Sequence, residues 1–266
     1  MRKKRLIFCL LSVLLLVGLY SFYYIRWSYL WAKEQERPAY TIAQHDDDTL
    51  RVVMIGDSWA VLHHEHHFDD YFESLLQRMF DSPVRMTSKG RGGEVSRGIY
   101  RLMFESEGFG TKPVLSAGAD YCIISAGIND AQFNLGVSQY VHHMRLIFDF
   151  LLGNHICPVV MELPDVDVWR ILKDKSAKML FVRFLQSTMS GSGLYDYAEY
   201  REALRQLINE KAYKNKILYV PMKGWHGDTF KIDDTVFWED HAHLNNRGYK
   251  RLDSCIAVAI ASNWKK

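Results

Sequence analysis

Apolar and polar positions divide the chain into three regimes. Residues 6–25 (LIFCLLSVLLLVGLYSFYYI) form one uncharged apolar run. Residues 32–48 (AKEQERPAYTIAQHDDD) are polar, contain Pro38 and end in three Asp. From residue 49 onward, short apolar runs alternate with longer amphipathic stretches. The runs 50–55 (LRVVMI), 83–87, 121–125 (YCIIS), 156–163 (ICPVVMEL) and 217–221 (ILYVP) predict buried strands. Helical periodicity fills 60–80, 94–107, 131–152, 174–190, 196–214 and 246–263. Strand–helix alternation predicts a parallel sheet covered on both faces, with its chemistry at the carboxyl ends of the strands. Residues 164–195 exceed a simple crossover and read as an insertion near the site mouth.

The first regime has the dimensions of a membrane span. Twenty residues rising about 1.5 Å each cover roughly 30 Å, the thickness of a bilayer's hydrocarbon core. Arg2, Lys3, Lys4 and Arg5 precede the run, and Tyr20, Phe22, Tyr23, Tyr24, Trp27, Tyr29 and Trp31 cluster at its far end. This order predicts a cytoplasmic N-terminus, an interfacial aromatic belt and an extracytoplasmic body. The competing reading is a cleaved signal peptide, but no small-x-small site follows the run. Cys9 follows bulky Phe8 and lies near the start of the apolar run, with most of the run after it, so it does not read as a lipoprotein cysteine. The expected organisation is a stub and single-pass anchor over 1–31, a linker over 32–48 and one catalytic body over 49–266.

Charge sharpens this division. The 266 residues carry 33 Lys+Arg and 31 Asp+Glu. Setting aside the five basic residues of 1–26 leaves the remainder near −3. Such a body lacks the basic face that nucleic-acid binding requires. Four cysteines in a chain of this length do not make a disulfide framework.

Chemistry-bearing residues gather after the predicted strands. Gly56-Asp57-Ser58-Trp59 follows the first strand and opens a helix, which exposes the Ser58 hydroxyl and puts its N–H at a helix N-terminus. Alone, this reads equally as a helix cap behind a glycine turn. Ser88-Lys89-Gly90-Arg91-Gly92-Gly93-Glu94 follows the second strand, where glycines permit close backbone approach or a simple turn. No Gly-Lys-Ser/Thr ending makes it a phosphate loop. Gly127-Ile128-Asn129-Asp130 follows the third strand and offers a side-chain amide to the same cleft, or a turn. Asp240-His241-Ala242-His243 precedes the last helix. Its spacing lets Asp240 turn back onto the His243 ring, whose other nitrogen then takes a serine proton; His241 is the rival.

These blocks together resemble the SGNH hydrolase superfamily, also called the GDSL esterase/lipase family. The resemblance spans roughly residues 50–264 through Ser58 in GDSW, Gly93 in GGEVS, Asn129 in GIND and His243 in DHAHLN. It implies a three-layer α/β/α fold with a five-stranded parallel, flavodoxin-like sheet behind the N-terminal transmembrane helix. It also implies a Ser58–His243–Asp240 triad, with an oxyanion hole of the Ser58 and Gly93 N–H groups and the Asn129 side chain. Gly92 is the alternative donor one residue away. Two positions depart from the pattern, Trp59 for the usual Leu and Ser88 for the usual Asn. The expected activity is a serine esterase acting on O-acyl, chiefly acetyl, esters of an envelope or extracellular polysaccharide. The alternative is an O-acyltransferase using the same residues. Neither needs a metal or cofactor; the expected partners are an acylated small molecule or glycan and the membrane.

Other features carry blander readings. His63-His64-Glu65-His66-His67 misses a metal-binding HExxH because position 68 is Phe, so it reads as a polar helix face or cleft rim. Cys122, Cys157 and Cys255 fall in core patterns. Trp225, Phe230, Phe237 and Trp238 read as half core and half cleft wall. Asp57 and Asp130 read as acceptors that fix loops.

Overall fold

The computed structural model describes residues 2–164, 175–222, 236–238, 240 and 242–264. Five parallel strands make one sheet in the order β2-β1-β3-β4-β5. They are β1 (Leu50–Gly56), β2 (Val84–Gly90), β3 (Tyr121–Ser125), β4 (Cys157–Met161) and β5 (Leu218–Val220). Every residue of β3 is buried, as a central strand between two helical layers demands. The strand order reverses direction at β1, and β1 pairs with both β2 and β3. The crevice at that switch point is where α/β sheets bind ligands.

One layer holds α2 (Ser58–Glu65), α3 (Phe68–Gln77) and the terminal α10 (Asn246–Asn263). The other holds α4 (Ser96–Leu102), α7 (Val137–Gly153) and α9 (Tyr197–Ile208). Short α5 (Lys112–Leu115) and α6 (Ile128–Gln132) flank β3, and α8 (Ala177–Ser190) follows β4. This is the three-layer α/β/α architecture expected from the alternation.

Element boundaries depart from the sequence expectation for local reasons. The helix expected over 60–80 is two, broken where His67 adopts a left-handed φ of 60°. The one over 131–152 is also two, parted at Gly136 with φ 93°. The second strand runs to Gly90 because it pairs residue for residue with β1, ending Gly56↔Gly90.

The apolar run folds as α1 (Arg2–Trp27), long and apolar enough to cross a membrane and unburied against the body over its apolar window. Residues 32–48 contain no helix or strand, yet they lie pinned against the α4/α7 layer. Glu34 accepts from Arg97 at 3.1 Å and Arg101 at 2.7 Å, and its N–H donates to His143 Nε2 at 3.1 Å. Further along, the Ile42 N–H donates to Asn154 Oδ1 at 2.8 Å, and Ile42 is buried.

Candidate active site

The carboxyl ends of β1, β2 and β3 meet at small residues. Gly56 stands in register with Gly90 on one side and Ser125 on the other. A Cβ on Gly56 would lie 2.2 Å from the Ser125 carbonyl oxygen, so only glycine allows this approach. The chain then turns at Asp57, whose carboxylate accepts the Trp59 N–H at 3.0 Å and the Ser125 hydroxyl at 2.7 Å. Asp57 thereby caps α2 and fixes Ser58 as its first residue. Burial pushes the Asp57 carboxyl up to about 6, although both hydrogen bonds favour the charged form.

Across the crevice, the segment before α10 folds back on itself. Phe237 and Leu244 form an antiparallel bridge, and the Trp238 N–H donates to the His243 carbonyl at 2.8 Å. Asp240 Oδ1 accepts the Ala242 and His243 N–H groups, each at 3.0 Å. Its Oδ2 lies 2.5 Å from His243 Nδ1, and His243 Nε2 lies 2.9 Å from Ser58 Oγ. With Nδ1–H donated to Asp240, Nε2 is left as the acceptor of the Ser58 proton. Burial raises the Asp240 carboxyl, but the bonds from His243 and Ala242 outweigh it and hold it below its usual value. A hydroxyl, an imidazole and a carboxylate thus form one continuous hydrogen-bonded chain.

The remaining blocks close the crevice from β2 and β3. After β2, the Glu94 N–H donates to the Arg91 carbonyl at 3.2 Å in a turn that holds Gly93 at φ 72°. Gly92 has no such requirement. The Asn129 side-chain amide donates to the Glu94 carbonyl at 2.8 Å, which joins this turn to α6. Asp130 locks the same pair of loops by accepting the Ser96 N–H at 2.9 Å and hydroxyl at 2.5 Å. Burial pushes its carboxyl up to about 6 as well. Among the described residues, no acceptor takes the N–H of Ser58 or of Gly93.

Several residues outside the sequence reading support this arrangement. Trp59, noted only as a departure, donates its indole N–H to the Ala242 carbonyl at 3.0 Å. The Tyr249 hydroxyl donates to the Trp59 carbonyl at 3.1 Å. The reading of His63 as part of a polar face is corrected: it is 1% exposed. Its Nδ1 lies 2.8 Å from Asp69, and its Nε2 lies 3.0 Å from Asp253. Ser88 joins the same network at 2.5 Å from Asp69 Oδ1.

Cys122 is buried in β3, and burial pushes its thiol far up; the Cys157 thiol rises to about 11 for the same reason. Neither is a ready nucleophile. Phe237 is buried and Trp238 exposed. His241, Trp225, Phe230 and the first residues of the expected 164–195 insertion lie outside the described residues.

Comparison with known proteins agrees with this fold. Residues 54–251 match the family described as GDSL-like Lipase/Acylhydrolase. Among solved structures, the lipase/acylhydrolase from Enterococcus faecalis is similar at a TM-score of 0.59 and 16% identity, covering 81% of this chain and 97% of its own. The acetyl xylan esterase AlAXEase is similar at 0.56 and 16% identity, covering 79% of this chain and 100% of its own. LAE5, a hydrolase from the metagenome of Lake Arreo, Spain, is similar at 0.52 and 14% identity, covering 85% of this chain and 99% of its own. No curated protein matches the sequence.

Proposed function

The chain belongs to the GDSL-like lipase/acylhydrolase family of the SGNH hydrolase superfamily, and we propose that it is a serine esterase removing O-acetyl or similar short acyl groups from an envelope or extracellular polysaccharide. In this reading, residues 1–31 are the cytoplasmic stub and anchor, 32–48 the connection and 49–266 the extracytoplasmic hydrolase. The observation that carries it is the continuous contact Ser58–His243–Asp240 at 2.9 and 2.5 Å.

Ser58 Oγ attacks the ester carbonyl carbon while His243 Nε2 takes its proton. The imidazolium so formed is stabilised by Asp240, whose carboxylate also fixes the ring tautomer. Charge that develops on the carbonyl oxygen falls to the Ser58 and Gly93 N–H groups and the Asn129 amide. Collapse expels the sugar alkoxide, which His243 protonates, and leaves the acyl group on Ser58 Oγ. Water then attacks the acyl-enzyme, gives its proton to His243 and releases the acid; the proton returns to Ser58. The asymmetry of Gly92 and Gly93 favours Gly93 as donor, because only Gly93 takes a left-handed φ, 72°, a turn conformation that side chains rarely adopt. The shared fold of a protein described as an acetyl xylan esterase supports the choice of acyl-glycan substrate.

The test uses the full chain in detergent micelles with p-nitrophenyl acetate and an O-acetylated polysaccharide. Free acetate should accumulate, and Ser58→Ala should lower its rate by at least about 10³-fold. A gain of acetyl mass on the glycan without free acetate would identify transfer instead. Undiminished turnover by Ser58→Ala would remove the serine mechanism.

A further inference from the structure

The exposed surface of α8 (Ala177–Ser190) is rich in apolar side chains for a helix in water. Two of its polar groups face the body, while Lys178 and Thr188 stay exposed: Gln186 is buried, and the Arg183 guanidinium lies 4.6 Å over the Phe133 ring and donates to Gln186 Oε1 at 2.9 Å. Its outward stripe is Ala177, Phe181, Phe184 and Thr188, spaced three or four apart on one face. Phe181 is 56% exposed and Phe184 58%. Met179 adds a third exposed apolar side chain.

What lies beside this stripe is the apolar helix α1. Phe181 and Leu185 share a groove of about 480 Å³ with Leu16, Tyr20 and Tyr23. At about 1.5 Å per residue, Tyr23 and Leu16 sit roughly 3 and 14 Å inward from the end of the apolar run at Ile25. That is the depth of the headgroup boundary and outer hydrocarbon, where interfacial helices bury their apolar faces.

The body is not free to swing away from this position. The Tyr29 carbonyl accepts from Arg97, and Glu34 gathers Arg37, Arg97 and Arg101 just beyond the span. Tyr29 and Leu30 also wall a cavity of about 450 Å³ with Arg97, Arg101 and Arg183. The chain that leaves the anchor is therefore bonded at once to the layer that carries α8.

We propose that α8 is a membrane-seated helix. Phe181 and Phe184 dip into the outer leaflet beside the anchor and hold the catalytic body on the lipid surface in one orientation. Lys178, exposed in the first turn, reaches back to the headgroups with its ammonium while its stem lies on the apolar layer. The inference rests on the anchor reading of α1. It is independent of the esterase chemistry.

The test places p-benzoylphenylalanine at Phe181, Phe184, Leu14 or Val258 of the full chain, reconstituted in phosphatidylcholine/phosphatidylglycerol vesicles. A thermal unfolding midpoint matching that of the unsubstituted chain reports folding in each case. Val258 is an equally exposed apolar site, at 58%, on the opposite layer. Irradiation followed by mass spectrometry should give lipid adducts at 181 and 184 roughly tenfold above those at 258, and strong adducts at 14. Lipid adducts at 14 but not at 181 or 184 would overturn the seated helix while leaving the anchor intact. Adducts of 181 or 184 that join two copies of the chain, in place of lipid adducts, would assign the stripe to a second chain and overturn it too; adducts within one chain to α1 report only the groove they share. No lipid adduct at 14 would remove the anchor and the proposal together.

Discussion

Trp59 shows how much of this site depends on single residues outside the reacting set. It occupies the position after the serine, and its indole N–H holds the Ala242 carbonyl beside His243. Trp59→Phe keeps a buried aromatic ring but removes that donor, so the His243 loop loses one of the bonds that set its distance to Ser58. The expected result is a kcat about tenfold lower with little change in KM, because a misplaced base weakens the transition state rather than substrate binding. Steady-state kinetics of the full chain on p-nitrophenyl acetate would check this; a change confined to KM would contradict it. Ser58, Gly93, Asn129, Asp240 and His243 stand out in the sequence only jointly, because their four short blocks occur together in the order of the family they resemble; each alone reads also as a cap or turn. Trp59's role is not legible, since its partner lies 183 residues away. No local pattern reports such a bond.

Between elements, the buried His63 network ties α2, which begins with Ser58, to α3, β2 and α10. His63 faces Asp69 and Asp253, with Ser88 and the rings of Phe68, Phe72 and Tyr249 around it. Burial alone would lower the His63 pKa, but the two carboxylates outweigh it and raise it to about 9. Asp69 is held near 2: burial opposes this, and bonds from His63, His64 and Ser88 prevail. Asp253 moves the other way, because its burial outweighs the help of His63 and its Oδ2 has no partner among the described residues. A histidine whose folded value is raised stabilises fully below its unfolded value of about 6.5, and that contribution disappears as pH rises through about 9. Denaturation of the full chain in micelles should therefore show stability falling between pH 6.5 and 9.5. The slope should be shallower in His63→Gln, and an unchanged slope would contradict the charged network. The sequence made this segment look like a polar face, since five polar residues in a row carry no helical period. The break at His67 decides which histidine turns inward, and a left-handed residue there has no marker as clear as glycine or proline. By contrast, the parallel sheet was legible throughout, because buried strands such as YCIIS are apolar on both faces.

For the molecule as a whole, the apolar helix α1, the polar segment that connects it and the α/β body were readable from charge and hydropathy. The connection's role was not. Its Pro38, acids and polar residues resemble a loose tether, yet Glu34, Ile42 and Gln44 are bonded to the body. Polar composition reports solubility of a segment, while its order comes from partners such as Arg97 and Asn154 on distant helices. If α8 is seated beside the anchor as proposed, the crevice above β1, β2 and β3 keeps a set height over the bilayer, and the proposed polymer substrate has to reach a stationary site. The proposed activity, unlike that seating, depends on Ser58 being the nucleophile. The most direct measurement is labelling of the full chain with a fluorophosphonate, followed by peptide mapping. The account expects one adduct, on Ser58, that disappears in His243→Ala; labelling of another residue, or none on Ser58, would contradict it.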